Sequence, residues 1–135
     1  MISKETRKQV YSKFGGKCAY CGEWIDFKKM HVDHVIPKRN FKRFVFNRYK
    51  IPSFLTHLTK EDVDHIDNLF PACSVCNLWK SSYSLDVFRK EIEAQLKRLR
   101  KASSNYRFAL KYNLIQETPK KIVFYFETIA LHKHK

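Results

Sequence analysis

Two Cys-x-x-Cys pairs, Cys18 with Cys21 and Cys73 with Cys76, constrain this chain more than any other feature of its 135 residues. A two-residue spacer lets both sulfurs of a pair reach one ion. Four thiolates make a closed tetrahedral set suited to structural zinc, with no position left open for chemistry. Gly22, directly after the first pair, can take the positive φ that aims both sulfurs at one point. The alternative is four buried free cysteines. Residues 22–72, 51 in number, separate the pairs by more than a simple zinc ribbon needs, so a substantial folded unit is expected between them.

The chain carries 27 Lys and Arg against 13 Asp and Glu, a net charge of +14, and the excess runs along its whole length. Such imbalance opposes compaction by self-repulsion and implies a polyanionic partner, with nucleic acid favoured over a merely solvated basic surface. A membrane-surface protein would need an amphipathic helix with a wide outward apolar face or a lipidation signal, and neither is seen. No apolar stretch approaches the roughly 18 residues of a membrane span, and residues 1–9 lack a signal-peptide core. A cytoplasmic location is therefore expected, where reducing conditions disfavour reading the four cysteines as disulfides. The length suits one domain, and the apolar fraction of 44% is heavily aromatic and lies in short clusters.

Local patterns give a coarse α+β reading. Ser3 caps a first helix running to Phe14, stopped by Gly15-Gly16. Residues 27–36, with Met30, Val32, Val35 and Ile36, read as a strand ending at Pro37. Residues 38–50 interleave bases and aromatics, too basic for a core strand and too apolar for a linker. Residues 51–59 read as a short turn or helix, and Thr59 with Asp62 resembles a capping box. Residues 67–71 lead, as a turn or short strand, into the second cysteine pair, after which a helix enters through Asn77 and Lys80. A longer helix follows from an N-cap at Ser84, with Leu85, Phe88, Ile92, Leu96 and Leu99 on one stripe. Tyr106 to Tyr112 suggests a further helical turn or two, and residues 121–128 read as a final strand.

Between and around the cysteine pairs stand His31-Val32-Asp33-His34-Val35-Ile36-Pro37 and Asp67-Asn68-Leu69-Phe70-Pro71-Ala72-Cys73-Ser74-Val75-Cys76-Asn77-Leu78-Trp79-Lys80. An Asp-His with an apolar pair and Pro, an Asn-Leu three residues before C-x-x-C, and an Asn directly after it resemble the HNH endonuclease family. The similarity covers residues 13–82, and Asn77 in place of the frequent His makes it an H-N-N variant. The resemblance implies a zinc-stapled ββα-metal core over residues 1–83, with a basic-aromatic insertion at about 38–64. Residues 84–135 are then a helix and strand extension packed on the same domain.

The resemblance further implies metal-dependent hydrolysis of DNA phosphodiester bonds by an intracellular bacterial or phage-encoded enzyme. His34 is the general base, with a reference pKa of about 6.5 suited to the task. Asn68 orients its ring by hydrogen bonding. Asp33 and Asn77 hold one Mg²⁺ or Mn²⁺ that offsets charge on the phosphate and the leaving oxygen. Cys18, Cys21, Cys73 and Cys76 hold the zinc. Adjacent strand residues face opposite ways, so Asp33 and His34 converge only where the strand end is irregular.

His31 is a candidate supporting group or a surface residue, while His57, His132 and His134 read as surface residues. His65, which stands three before Asn68, lacks the Asp-His-apolar-apolar-Pro context. Lys38, Arg39, Lys42, Arg43, Arg48 and Lys80 are candidate DNA contacts, weighed against solvated charge. Two rival functions stay open, a zinc-stabilised nucleic-acid-binding module that does not cut and a nuclease that cuts RNA. Duplex DNA is the expected partner of a monomer or homodimer, and sequence preference is unreadable.

Overall fold

The computed structural model describes residues 2–133. Among them are seven α-helices and a two-stranded antiparallel sheet, a small α+β fold. No helix of the described residues is long and apolar enough to cross a membrane.

The first helix, α1 (Lys4–Ser12), starts where the Ser3 hydroxyl accepts the Thr6 N–H at 3.1 Å. It buries Val10, and its Arg7 donates to the Met30 and Phe27 carbonyls. Gly15 and Gly16 then turn the chain at φ +64° and +87° into the first cysteine knuckle. The knuckle is a narrow hairpin: Lys17 bridges Trp24, and the Cys18 N–H donates to the Glu23 carbonyl at 2.8 Å. Gly22, at φ +78°, takes a conformation strained for other residues, and a Cβ there would press on the Tyr125 ring at 3.0 Å.

Strand β1 (His31–His34) pairs with β2 (Leu69–Ala72), His31 opposite Ala72 and His34 opposite Leu69. The first strand is shorter than the expected 27–36. Asp26 accepts the Lys28 N–H and starts a 3-10 turn over Phe27–Lys29, so those residues fold back before the strand begins. Every residue of β2 is buried, and α3 (Ser74–Lys80) follows at once, starting inside the second cysteine pair with Cys73 as its cap. The chain thus runs strand, insertion, strand, helix, with α3 lying over the sheet.

Residues 38–50 contain a helix that their composition hid, α2 (Phe41–Asn47). Phe41 and Val45 are buried, whereas Lys42, Arg43, Arg48 and Phe46 are exposed. The Thr59–Asp62 pair forms its capping hydrogen bonds, the Thr59 N–H to Asp62 at 2.7 Å, but closes a turn rather than a helix.

Ser84 caps α4 (Leu85–Glu93) as expected, but the long helix breaks at Ala94, whose ψ of −5° ends α4 before α5 (Gln95–Ala102) resumes. The apolar stripe explains the break. Leu85 and Phe88 are buried, yet Leu99 is 43% exposed, so packing holds only the first half. Helix α6 (Ser104–Lys111) folds back on α5.

The expected strand at residues 121–128 is instead an extended segment leading into α7 (Tyr125–Lys133). The Glu127 carboxylate accepts the Phe124 N–H at 2.8 Å, a capping-box contact that starts a helix. Phe124 meanwhile packs against both Tyr20 and Phe88, with ring centroids 5.2 and 5.4 Å away, and the Tyr125 N–H donates to the Tyr20 carbonyl. The aromatic run is the point where the C-terminal part docks on the knuckle, and its apolar pattern serves burial rather than a sheet.

Candidate functional site: a cysteine cluster and a groove at the end of the first strand

The knuckle and the start of α3 bring one sulfur from each of Cys18, Cys21, Cys73 and Cys76 within 4.8 Å of one another. A tetrahedral zinc with bonds of about 2.3 Å requires sulfurs about 3.8 Å apart. Cys21 and Cys73 stand at 3.8 Å, and the Cys73 N–H already points at the Cys18 sulfur from 3.4 Å. Crowded together, the thiols respond unequally. The contact with Cys76 draws Cys18 down to about 4 despite its burial, whereas burial pushes Cys21 up to about 12 and contact with Cys18 drives Cys76 higher still. A bound cation would favour the ionised form of the thiols it contacts. The cluster could hold a metal ion such as zinc.

A groove of about 310 Å³ opens beside the C-terminal end of β1, lined among others by Asp33, His34, Lys38, Arg39, Asn77 and Ser82. Three of the residues singled out for chemistry, Asp33, His34 and Asn77, therefore border one depression, with two exposed cations at its rim. Alternation along the strand turns His31 and Asp33 toward α3, where His31 Nδ1 lies 3.4 Å from the Asn77 amide nitrogen. His34, at the strand end, turns away. Its Nε2 meets Asp64 Oδ1 at 2.8 Å, and this hydrogen bond holds the Asp64 carboxyl below the usual carboxylate range.

No family model, curated protein or solved structure matches the chain. Its chemistry must be read from these contacts alone.

Two expectations are corrected by them. Lys80 is not available to a phosphate: it is fully buried, and its ammonium donates to the His34 carbonyl at 3.0 Å and to Asp33 Oδ1 at 3.3 Å. The cation spans from α3 to β1 because Asp33, only 5% exposed, needs a partner there. Asn68 does not touch the His34 ring. Fully buried, it accepts the Ile36 N–H at 2.8 Å and donates to the Ile36 and Val63 carbonyls at 3.1 and 2.9 Å. It joins the backbone just beyond His34 to the backbone just before Asp64, holding ring and carboxylate in register.

Asp33 is clamped. Tyr20, from inside the first knuckle, donates its hydroxyl to Oδ2, and Lys80 lies 3.2 Å from the same oxygen. Burial pushes the Asp33 carboxyl up and the Lys80 ammonium down, while their mutual attraction opposes both shifts. A carboxylate offers about four lone-pair positions, and these contacts leave one on Oδ1. That position and the side-chain oxygen of Asn77 are hard oxygen donors of the kind Mg²⁺ takes.

Of the other candidates, Lys42, Arg43 and Arg48 are exposed on or beside α2 but do not line the groove. His134 and the side chain of His132 lie outside the described residues. Asp64 was missed because it stands 30 residues from His34 and belongs to no recognisable motif. The only sequence hint is its place four residues before Asn68.

Proposed function

We propose that the chain is a metal-dependent endonuclease of the HNH type that hydrolyses DNA phosphodiester bonds, with His34 as general base. The observation that carries this reading is the pairing of His34 with Asp64 at the edge of a groove shared by Asp33, Asn77, Lys38 and Arg39. The Asp64 carboxylate occupies Nε2, which fixes the proton there and leaves the Nδ1 lone pair for a water molecule. When His34 takes that water's proton, Asp64 stabilises the imidazolium that forms. Asn68 keeps the two residues in register through the backbone. Lys38 and Arg39 neutralise phosphates flanking the cut. A Mg²⁺-like ion held by Asp33 and Asn77 supplies, when bound, positive charge for the phosphate and the leaving 3′ oxygen. The four cysteines with zinc would staple the knuckle to α3, and through Tyr20 they set the position of Asp33.

A second reading, a nucleic-acid-binding module that does not cut, draws on the near-complete burial of Asp33 against Lys80 and Tyr20, which suits a structural ion pair. Nicking of supercoiled plasmid with Mg²⁺ or Mn²⁺ separates the two. Wild type should nick and His34→Ala should not, both retaining DNA. Equal nicking by both proteins removes the mechanism, and retention without nicking in any metal favours the binder. Offering duplex DNA and RNA side by side tests the substrate.

A further inference from the structure

We propose a second metal site, separate from both the cysteine cluster and the groove, formed by His57, His65 and Asp67 and selective for a transition-metal dication such as Zn²⁺. One nitrogen of each imidazole and one carboxylate oxygen lie within 4.8 Å of one another. The three come from two segments that the fold brings together. His57 sits in the turn between the buried Leu55 and Leu58, while His65 and Asp67 flank Ile66 at the 3-10 turn (Ile66–Asn68) leading into β2.

The three side chains already contact one another. His57 Nε2 lies 2.8 Å from Asp67 Oδ2, and His65 Nδ1 lies 3.8 Å from the same oxygen. The two rings meet edge to face with centroids 5.7 Å apart. Bonds of about 2.0–2.1 Å to nitrogen and oxygen require donor atoms about 3.3 Å apart in a tetrahedron. The two separations to Asp67 Oδ2, 2.8 and 3.8 Å, lie on either side of that spacing. The Asp67 N–H donates to the same His65 Nδ1 at 3.0 Å, a contact that orients the ring and that an ion at this nitrogen would displace.

Charge points the same way. The protein carries +14 overall, yet residues 61–67 hold four acids, Glu61, Asp62, Asp64 and Asp67, and no Lys or Arg, the nearby cation being Lys13, whose ammonium donates to the Ile66 and Leu69 carbonyls. Asp64 is answered by His34 and Asp62 by Thr59, which leaves Asp67 as the carboxylate of the pair of imidazoles. Two imidazoles with one carboxylate form a borderline set that prefers Zn²⁺, Co²⁺ or Ni²⁺ to Mg²⁺, with positions left for water because all three side chains are open to solvent. An ion there would clamp the turn at His57 to the segment that carries Asp64.

The site stands whether or not the protein cuts DNA, and metal counting tests it without reference to activity. Protein with its cysteine cluster filled by one equivalent of Zn²⁺ is titrated with Co²⁺, followed by calorimetry and visible absorption. Wild type should take up a further equivalent with the weak ligand-field bands of nitrogen and oxygen donors, without sulfur-to-metal charge transfer. Measured in an Asn77→Ala background, which removes the groove's amide ligand from the count, His57→Ala and Asp67→Asn should each weaken that uptake about tenfold or more. Uptake unaffected by either His57→Ala or Asp67→Asn, or no further equivalent in wild type, overturns the site.

Discussion

Replacing Lys80 by Met probes the clamp that fixes Asp33 beneath α3. The side chain is fully buried and its ammonium serves both the His34 carbonyl at 3.0 Å and the Asp33 carboxylate at 3.2 Å. Methionine fills similar volume but leaves a buried carboxylate with only the Tyr20 hydroxyl, and an unanswered carbonyl besides. Removing one member of a buried ion pair costs about 3–5 kcal/mol, against a typical domain stability of about 5–15 kcal/mol. Urea unfolding of the metal-loaded protein, followed by circular dichroism, should therefore show a loss of that size.

The loss should also depend on pH. Without Lys80 the folded-state pKa of Asp33 rises further above its unfolded value, already exceeded through burial. A raised folded pKa gives stability that is full below the unfolded pKa of about 3.9 and is lost as pH climbs through the folded value. The deficit of Lys80→Met should accordingly shrink as pH falls toward about 4, and Lys80→Met with Asp33→Asn should recover at least half of it at neutral pH. A cost below about 1 kcal/mol, the range of an exposed pair, would refute the claim that this ion pair is buried and structural.

Other outcomes follow from neighbouring contacts. Asn68→Ala removes three hydrogen bonds, two of them buried, and should cost about 3 kcal/mol in the same unfolding assay, with no compensation from a change of metal. Asp64→Ala should lower the nicking rate about 10- to 100-fold while DNA retention in a gel-shift assay stays unchanged, because the ring loses its orienting partner and not its charge field. Lys38→Ala with Arg39→Ala should reduce the slope of log affinity against log salt by roughly 2, whereas Lys80→Met should leave that slope unaltered.

How much of this could be read beforehand depends on whether the signal is local. The caps at Ser3 and Ser84, the positive φ at Gly22 and the two cysteine pairs are decided within a few residues, and each was legible. Helix α2 was missed although Phe41, Phe44 and Val45 stand at helical spacing. Its charge disguised the stripe, and Asn40 enters it in a left-handed conformation without a side-chain cap. The aromatic run before α7 looked like a strand because the docking of Phe124 against Tyr20 and Phe88 is settled across the whole chain. Lys80 and Asp64 were illegible for the same reason. A lysine in a strongly basic chain reads as solvated, and nothing near Asp64 announces a histidine 30 residues away.

The central claim is that Asp33, His34 and Asn77 border one groove where a scissile phosphate is held. A crystal structure of His34→Ala with a short DNA duplex and Mn²⁺, read by anomalous scattering, tests it most directly. The account predicts a manganese peak shared by Asp33 and Asn77, with a backbone phosphate lying in the groove beside position 34. A duplex seated elsewhere, or manganese absent from the groove at concentrations that support nicking by wild type, would contradict it.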